Sequence, residues 1–229
     1  MKRNIKISGS VNPKKYTILV TGIFDKIMAK LDFAYSKEIE IIFYDSRKSL
    51  DKTLGRSTEN WEVAFASMGN KENKINILNP ERMEKFSCHK KTEFASIITH
   101  ELTHLVINDI ANGSAIPVWL SEGLSNWLCQ NNDYRKKELF YIETGLLEKI
   151  GTPKGWEELI NQNVYSLSYF LVDFIINRFT LVKIKELINN LDKHYYFPRF
   201  QKILKSILGV SSEEIELAFV KYLISQNNT

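Results

Sequence analysis

Residues 92–110, TEFASIITHELTHLVINDI, mark the point at which the character of the chain changes. Before this stretch, short runs rich in β-branched and aromatic residues alternate with runs of helical periodicity; after it, the periodicity is almost wholly helical. The sequence therefore predicts an α+β fold, in which a small N-terminal mixed β-sheet with covering helices is packed on a mostly α-helical C-terminal half. We place the boundary between residues 1–91 and 92–229 and expect a ligand site in the cleft between the two parts.

The N-terminal part is predicted to hold both helices and strands. Apolar residues at helical spacing predict an amphipathic helix at its start. Runs of β-branched and aromatic residues predict strands, and a turn joins the last two strands into a hairpin. The predicted elements are, in order, a helix over 14–34, a strand over 38–44, a helix over 47–54, and strands over 61–68 and 74–78 joined by a turn over 68–73.

The C-terminal part is predicted to be helical throughout. Ser211 and Glu214 have the three-residue spacing of a capping box, which predicts that the last helix starts at this point. The predicted helices lie near residues 92–110, 117–131, 133–149, 164–179, 182–192, 197–208 and 211–226.

The composition is that of a folded globular protein. Hydrophobic residues make up 44% of the 229 residues and charged residues 25%, which excludes a disordered chain, a collagen and a disulfide scaffold. The excess of basic over acidic residues is only +4 and is spread along the chain, so we expect no nucleic-acid partner.

We also expect no membrane span and no signal peptide. The longest apolar runs are interrupted by Asp173 and Asn177, and they fall well short of the roughly 20 apolar residues that cross a bilayer. The basic N-terminus lacks the apolar core of a signal peptide. The expectation is a cytoplasmic protein.

The segment His-Glu-Leu-Thr-His, from His100 to His104, carries the most informative chemistry. On a helix, residues i and i+4 lie on one face about 5–6 Å apart, so both imidazoles can ligate one metal ion. Glu101 projects beside this pair, where it can take a proton from water at the ion without binding the ion itself. The alternative is a metal-free helix whose histidines cap or hydrogen-bond locally.

Zinc needs a third protein ligand, so that one position is left for water. No histidine follows His104 before His194, and a carboxylate on a second helix is the other solution. Glu122 follows at a separation that allows a turn and an antiparallel return helix. Apolar residues surround it in the sequence: Trp119, Leu120, Leu124 and Trp127. Because a carboxylate buried among them needs a partner, we predict Glu122 as the third ligand; the alternative is a solvated helix glutamate.

Three segments, taken in their order along the chain, resemble the motifs of the gluzincin metallopeptidases. The resemblance is in particular to the small peptidase-MA-like proteins related to the catalytic core of zinc aminopeptidases. The segments are HELTH at 100–104, WLSEGL at 119–124 and YSLSYFLV at 165–172. The resemblance includes the predicted strand pair ahead of the metal-binding helix. It implies a thermolysin-like catalytic core, in which the two parts of the chain form one catalytic unit.

The resemblance also implies the roles of individual residues at the metal. One zinc ion is held by His100, His104 and Glu122, and Glu101 acts as general base and then as general acid. The spacing of the two histidines and the apolar surroundings of Glu122 in the sequence favour the same residues.

The tyrosine that opens the third segment, Tyr165, is implied by the resemblance to donate a hydrogen bond to the oxyanion. A neutral phenol aimed at developing negative charge suits that role. Tyr169 and His194 are rival donors, and Tyr165 can equally be a core or cleft-wall aromatic residue.

The chain departs from the family pattern at Asn126. Many relatives carry an acidic residue four positions after the glutamate ligand, where it orients a ligating histidine through the free ring N–H. The amide oxygen of Asn126 can accept the same hydrogen bond, but without a charge. Weaker zinc binding or a less basic set of ligands is therefore expected.

In relatives, the strand ahead of the zinc helix runs along the cleft and pairs with extended peptide. The segment in that position here is formed by Ala64, Phe65, Ala66, Ser67 and Met68. It would bind substrate by strand addition to an exposed edge. The alternative is an ordinary edge strand.

Together, these features predict a zinc metallopeptidase that acts on a peptide or protein substrate, with Glu101 as general base. Two alternatives stay open. One is a zinc-binding, catalytically inactive peptidase-like domain that serves as a binding or regulatory module. The other is a metal-free α+β interaction domain with structural histidines.

Overall fold

A computed structural model describes residues 5–68, 72–129 and 144–227. The chain divides into two compact units, Met1–Val106 and Ile107–Thr229. The first contains a four-stranded sheet and the second is helical, so the predicted α+β fold class is confirmed. Among the described residues, no helix combines the length and the apolar character needed to cross a membrane.

The sheet of the first unit is mixed, with the strand order β1-β2-β4-β3. β2 pairs in parallel with β1 and β4, and β3 pairs antiparallel with β4, so β3 lies at one edge. The strands are β1 (Ile5–Gly9), β2 (Glu38–Tyr44), β3 (Ala64–Met68) and β4 (Glu72–Leu78). The helices of this unit are α1 (Pro13–Leu31), α2 (Arg47–Leu54), α3 (Met83–Phe86) and the first turns of α4 (Phe94–Ile110).

One face of the sheet forms the core of this unit, because alternate residues of β2 are buried and pair with buried residues of β4. Aromatic side chains connect this face to two helices. The ring of Tyr16 on α1 lies 5.0 Å from that of Phe43 and 5.3 Å from that of Phe94 at the start of α4. The sheet therefore positions the helix that carries the two histidines.

The second unit contains helices throughout the part that the structure describes. They are α5 (Val118–Cys129), α6 (Leu146–Lys149), α7 (Pro153–Glu158), α8 (Val164–Phe179), α9 (Leu181–Asn189), α10 (Phe197–Leu208) and α11 (Ser212–Asn227). The predicted capping box is present: Ser211 N–H donates to Glu214 at 2.7 Å, and Glu214 N–H donates to Ser211 Oγ at 3.2 Å.

α5 and α8 approach each other closely at Gly123. A Cβ at this position would lie 2.4 Å from the carbonyl oxygen of Ser168 and 2.6 Å from Cγ2 of Val172. Trp127 on α5 and Tyr222 on α11 both donate to the Asp173 carboxylate of α8, at 2.9 and 3.1 Å. These bonds connect three helices of the second unit through one carboxylate.

Several predicted boundaries were wrong. The first helix ends at Leu31 rather than at residue 34, because Asp32 adopts the left-handed conformation with φ 45°. The strand predicted over 61–68 begins only at Ala64, and its partner begins earlier than predicted, at Glu72. Strand β1 was not predicted.

The prediction of a long helix over residues 133–149 was also wrong near the end of that range. Gly145 has a φ of 84° and precedes the short helix α6, so no helix runs through residues 144 and 145. The short helix α7 was missed. The predictions for residues 69–71, 130–131 and 133–143 lie outside the described residues.

Candidate metal centre

His100 and His104 lie one helical turn apart on α4, with their rings in an edge-to-face arrangement. The two Nε2 atoms are 3.0 Å apart, and the ring centroids are 4.6 Å apart with an interplanar angle of 80°. Both side chains are half-buried. This is the local geometry that the i, i+4 spacing predicts.

Glu122 on α5 completes a group of three possible ligands. One ligand atom from each of His100, His104 and Glu122 lies within 4.8 Å of the other two. All three side chains are of intermediate exposure, which leaves them accessible to an ion.

The donor set fits a zinc ion. Two nitrogens that each lie ~2.0–2.1 Å from a tetrahedral ion are about 3.3–3.4 Å apart, close to the 3.0 Å between the two Nε2 atoms. Two imidazoles and one carboxylate form a ligand set typical of catalytic zinc, because three protein ligands leave a fourth position for water or substrate. The triad could therefore bind a metal ion.

Glu101, between the two histidines in sequence, is 9% exposed. The backbone N–H of Ala66, on the edge strand β3, donates a 2.6 Å hydrogen bond to Oε2 of Glu101. The contact fixes one oxygen of the carboxylate.

The alternation of backbone groups along β3 explains why this N–H is available. In the antiparallel pair with β4, Val63 C=O accepts from Leu78 N–H at 2.9 Å, so Phe65 and Ser67 also direct their backbone groups toward β4. Ala64, Ala66 and Met68 direct theirs away from β4. The edge therefore presents backbone groups outward, one of which Glu101 takes.

Asn126 lies one turn after Glu122 on α5 and is fully buried. Its Nδ2 donates to the carbonyl oxygen of Tyr165 at 3.4 Å, across the close α5–α8 contact. Its Oδ1 is buried and has no hydrogen-bond partner among the described residues. An unused acceptor at this position is what an outer-shell residue would offer to an imidazole N–H.

The three candidate oxyanion donors have different environments. Tyr165, in the first turn of α8, is half-buried with its ring 5.1 Å from that of Trp156. Tyr169 is 7% exposed and packs edge-on against Phe170 at 5.3 Å. His194 is exposed between α9 and α10. The assignment of the donor stays a prediction, with Tyr165 favoured over the buried Tyr169 because its side chain is more accessible.

The roles of two residues that position these groups were not predicted from the sequence. Gly123 lets α8 approach the helix that carries Glu122, and a glycine inside an apolar helical pattern was the available signal. Arg47 binds the loop that leads to β3. No local pattern distinguishes this arginine from the others in the chain.

The comparison with protein families agrees with the geometry. Residues 26–224 match the family described as the peptidase MA superfamily. The chain belongs to the peptidase MA superfamily. The match includes all three candidate ligands and Glu101, and it confirms the peptidase-MA part of the resemblance found in the sequence. The superfamily is typically associated with zinc. No curated protein matches this peptidase-like chain.

Proposed function

We propose that the protein is a zinc-dependent metallopeptidase of gluzincin type that hydrolyses peptide bonds in a peptide or protein substrate. The observation that carries the proposal is the grouping of His100, His104 and Glu122 within 4.8 Å, with Glu101 between the two histidines in sequence. A ligand set of this kind, with the carboxylate of Glu101 next to it in the sequence, supports hydrolysis rather than a purely structural metal.

Glu101 is the proposed general base. The Ala66 N–H donates to Oε2 and orients the carboxylate, which would accept a proton from the attacking water. The same carboxyl group then returns the proton to the leaving amine. The hydrogen bond from Ala66 keeps the carboxylate oriented through both transfers.

Zinc bound by the three ligands would supply Lewis acidity that activates water and polarises the scissile carbonyl. Tyr165 is the proposed donor to the oxyanion that develops on this carbonyl. A preorganised hydrogen-bond donor of this kind contributes about 2.7–4 kcal/mol to transition-state stabilisation in other hydrolases.

The edge strand β3 is the proposed site of peptide binding. The outward backbone groups of Ala64 and Met68, and the outward C=O of Ala66, can pair with an extended peptide. The Ala66 N–H is already bonded to Glu101. A peptide carbonyl that reaches Ala66 would thus lie beside the general base rather than in a regular ladder.

The decisive experiment combines a zinc assay with digestion of a peptide library. Glu101→Gln should keep its zinc and lose cleavage, because Glu101 is not a metal ligand. Glu157→Gln, an exposed residue on α7 with the same change of charge, is the matched control and should cleave as the native protein does. Turnover unchanged in Glu101→Gln would reject the mechanism.

A zinc-binding domain without peptidase activity is the second candidate, and Asn126 is the observation that favours it. A neutral amide stands where relatives carry a carboxylate, so a ligating histidine would lack a charged partner. Full zinc occupancy without cleavage of any library peptide would support this candidate. If Asn126 has the outer-shell role, Asn126→Leu should lower zinc affinity by about 10–100-fold, as measured by competition with a chelator.

A further inference from the structure

The loop over residues 55–63, which connects α2 to the edge strand β3, is bound by the guanidinium group of Arg47. Nη1 donates to the carbonyl oxygens of Glu59 and Glu62 at 2.6 and 3.0 Å, and Nη2 donates to that of Asn60 at 3.1 Å. Nη1 also donates to the hydroxyl of Thr58. One planar group thereby binds four residues of the loop, which a lysine could not do from a single ammonium.

Arg47 is itself anchored to the sheet. It is the first residue of α2 and follows the capping residue Ser46, two residues after β2 ends. Its Nε donates to the carbonyl oxygen of Phe86 at 2.8 Å, in the segment that precedes α4. The guanidinium group thus connects the loop both to the end of a central strand and to the approach to the histidine helix.

The bonds made by Arg47 end directly before β3 begins. Glu62 is its last partner in the loop, and the next residue, Val63, accepts the first ladder bond from Leu78 at 2.9 Å. Among the strands that the structure describes, only β4 neighbours β3. The position of this edge therefore depends on β4 and on how the loop before it is held.

A second connection joins the same loop to the start of α4. Nε2 of His89 lies 2.9 Å from the carbonyl oxygen of Trp61, and its Nδ1 lies 2.6 Å from a carboxylate oxygen of Glu93. Asp51 on α2 also accepts from the backbone N–H and the hydroxyl of Thr58. Arg47 is the only one of these residues that binds three loop carbonyls within the described part of the loop.

We propose that Arg47 is a positioning residue for the edge strand: through the 55–63 loop it sets where β3 lies, and with it the Ala66 N–H that holds Glu101. The inference rests on the proposed peptidase function for its catalytic consequence. Arg47 would act only through the loop, without contacting substrate.

Hydrogen exchange followed by mass spectrometry tests the structural part, using the full chain. Arg47→Gln should raise the exchange rate of residues 63–68 by about tenfold, which corresponds to about 1.4 kcal/mol of lost local stability. Lys48→Gln, the exposed neighbour on the same helix with the same change of charge, should exchange as the native protein does. Arg47→Lys keeps the charge without the planar fork and should lie between them.

Kinetics test the catalytic part. Because β3 is also the proposed peptide-binding strand, the KM for a library peptide should rise about tenfold in Arg47→Gln and by less in Arg47→Lys, while zinc content stays unchanged. A merely structural role would lower kcat through loss of folded enzyme and leave KM as it was. Exchange at the native rate in both variants, or a native KM, would overturn the proposal. If the native protein cleaves nothing, the proposed function fails, whereas the exchange comparison still decides whether Arg47 holds β3.

Discussion

The backbone N–H of Ala66 donates a 2.6 Å hydrogen bond to Oε2 of Glu101, across 35 positions of sequence. This contact joins the edge of the sheet to the helix that carries the two histidines. It uses a backbone group that the antiparallel pair with β4 leaves unpaired. The edge strand is thereby connected directly to the proposed general base.

Ala66→Pro removes this donor without removing a ladder bond, since the Ala66 N–H faces away from β4. Hydrogen bonds to charged groups contribute about 1.5–3 kcal/mol, so we expect kcat/KM to fall by roughly 10–100-fold. Zinc content should not change. Peptide cleavage and metal analysis on the same preparation measure both quantities.

Ala64→Pro is the comparison for this variant, because it removes an equivalent outward N–H that Glu101 does not use. Its loss of kcat/KM should be smaller than that of Ala66→Pro. Equal losses in the two variants would mean that the bond to Glu101 contributes nothing beyond the effect of proline on the strand.

Replacement of a metal ligand should abolish or weaken zinc binding. His100→Ala and His104→Ala should be purified without zinc, and Glu122→Gln should bind zinc more weakly than the native chain. Because a ligating histidine must be neutral, metal binding releases protons and affinity should fall steadily as the pH is lowered. Zinc content after gel filtration at a series of pH values measures this. Retention of full zinc in Glu122→Gln would exclude Glu122 as a ligand.

Gly123→Ala should destabilise the protein, since the new Cβ would lie 2.4 Å from a backbone carbonyl oxygen of α8. Overpacking of this kind costs about 1–3 kcal/mol in the free energy of unfolding. Gly22→Ala is the matched control: it lies within α1, where an added Cβ would meet nothing within 4 Å, and the higher helix propensity of alanine should stabilise the protein by up to about 1 kcal/mol. Denaturant midpoints distinguish the two, and a native midpoint for Gly123→Ala would contradict the close α5–α8 contact.

The stabilising contribution of Tyr222 to the folded state should be lost at alkaline pH. Burial raises the pKa of Tyr222 to about 12, and the Asp173 carboxylate, which accepts a hydrogen bond from the Tyr222 hydroxyl, adds to this effect. Because this exceeds the unfolded value near 10, the stability it contributes is complete below about pH 10 and is lost as the pH rises toward about 12. Native protein should therefore lose more unfolding free energy between pH 9 and 11 than Tyr222→Phe does. Urea unfolding at each pH measures this, and parallel losses would disprove it.

Local pattern was sufficient for several parts of the fold. The strand predicted over 38–44 and the helix over 47–54 have the bounds observed for β2 and α2, because a β-branched run and a short capped helix are determined by neighbouring residues. The capping box at Ser211 is local in the same sense. The i, i+4 spacing likewise determines that His100 and His104 face each other.

Tertiary contacts decided the boundaries that the sequence misjudged. Trp61 to Val63 have the composition of a strand. The carbonyl of Glu62 bonds to Arg47 and that of Trp61 to His89, so the pairing with β4 reaches back only to Val63. Strand β1 exists because it pairs in parallel with β2, a contact between segments far apart in the chain.

The sequence by itself determined the chemistry that is available: a histidine pair on one helical turn, a carboxylate between them in the chain, and an apolar helix with a second carboxylate. It could do so because these relations span only a few residues. The tertiary structure alone decided three further relations. They are the backbone group that holds Glu101, the arginine that binds the loop before β3, and the close approach of α8 to Gly123. Those relations depend on the packing of distant segments, and no local propensity encodes the distance between them.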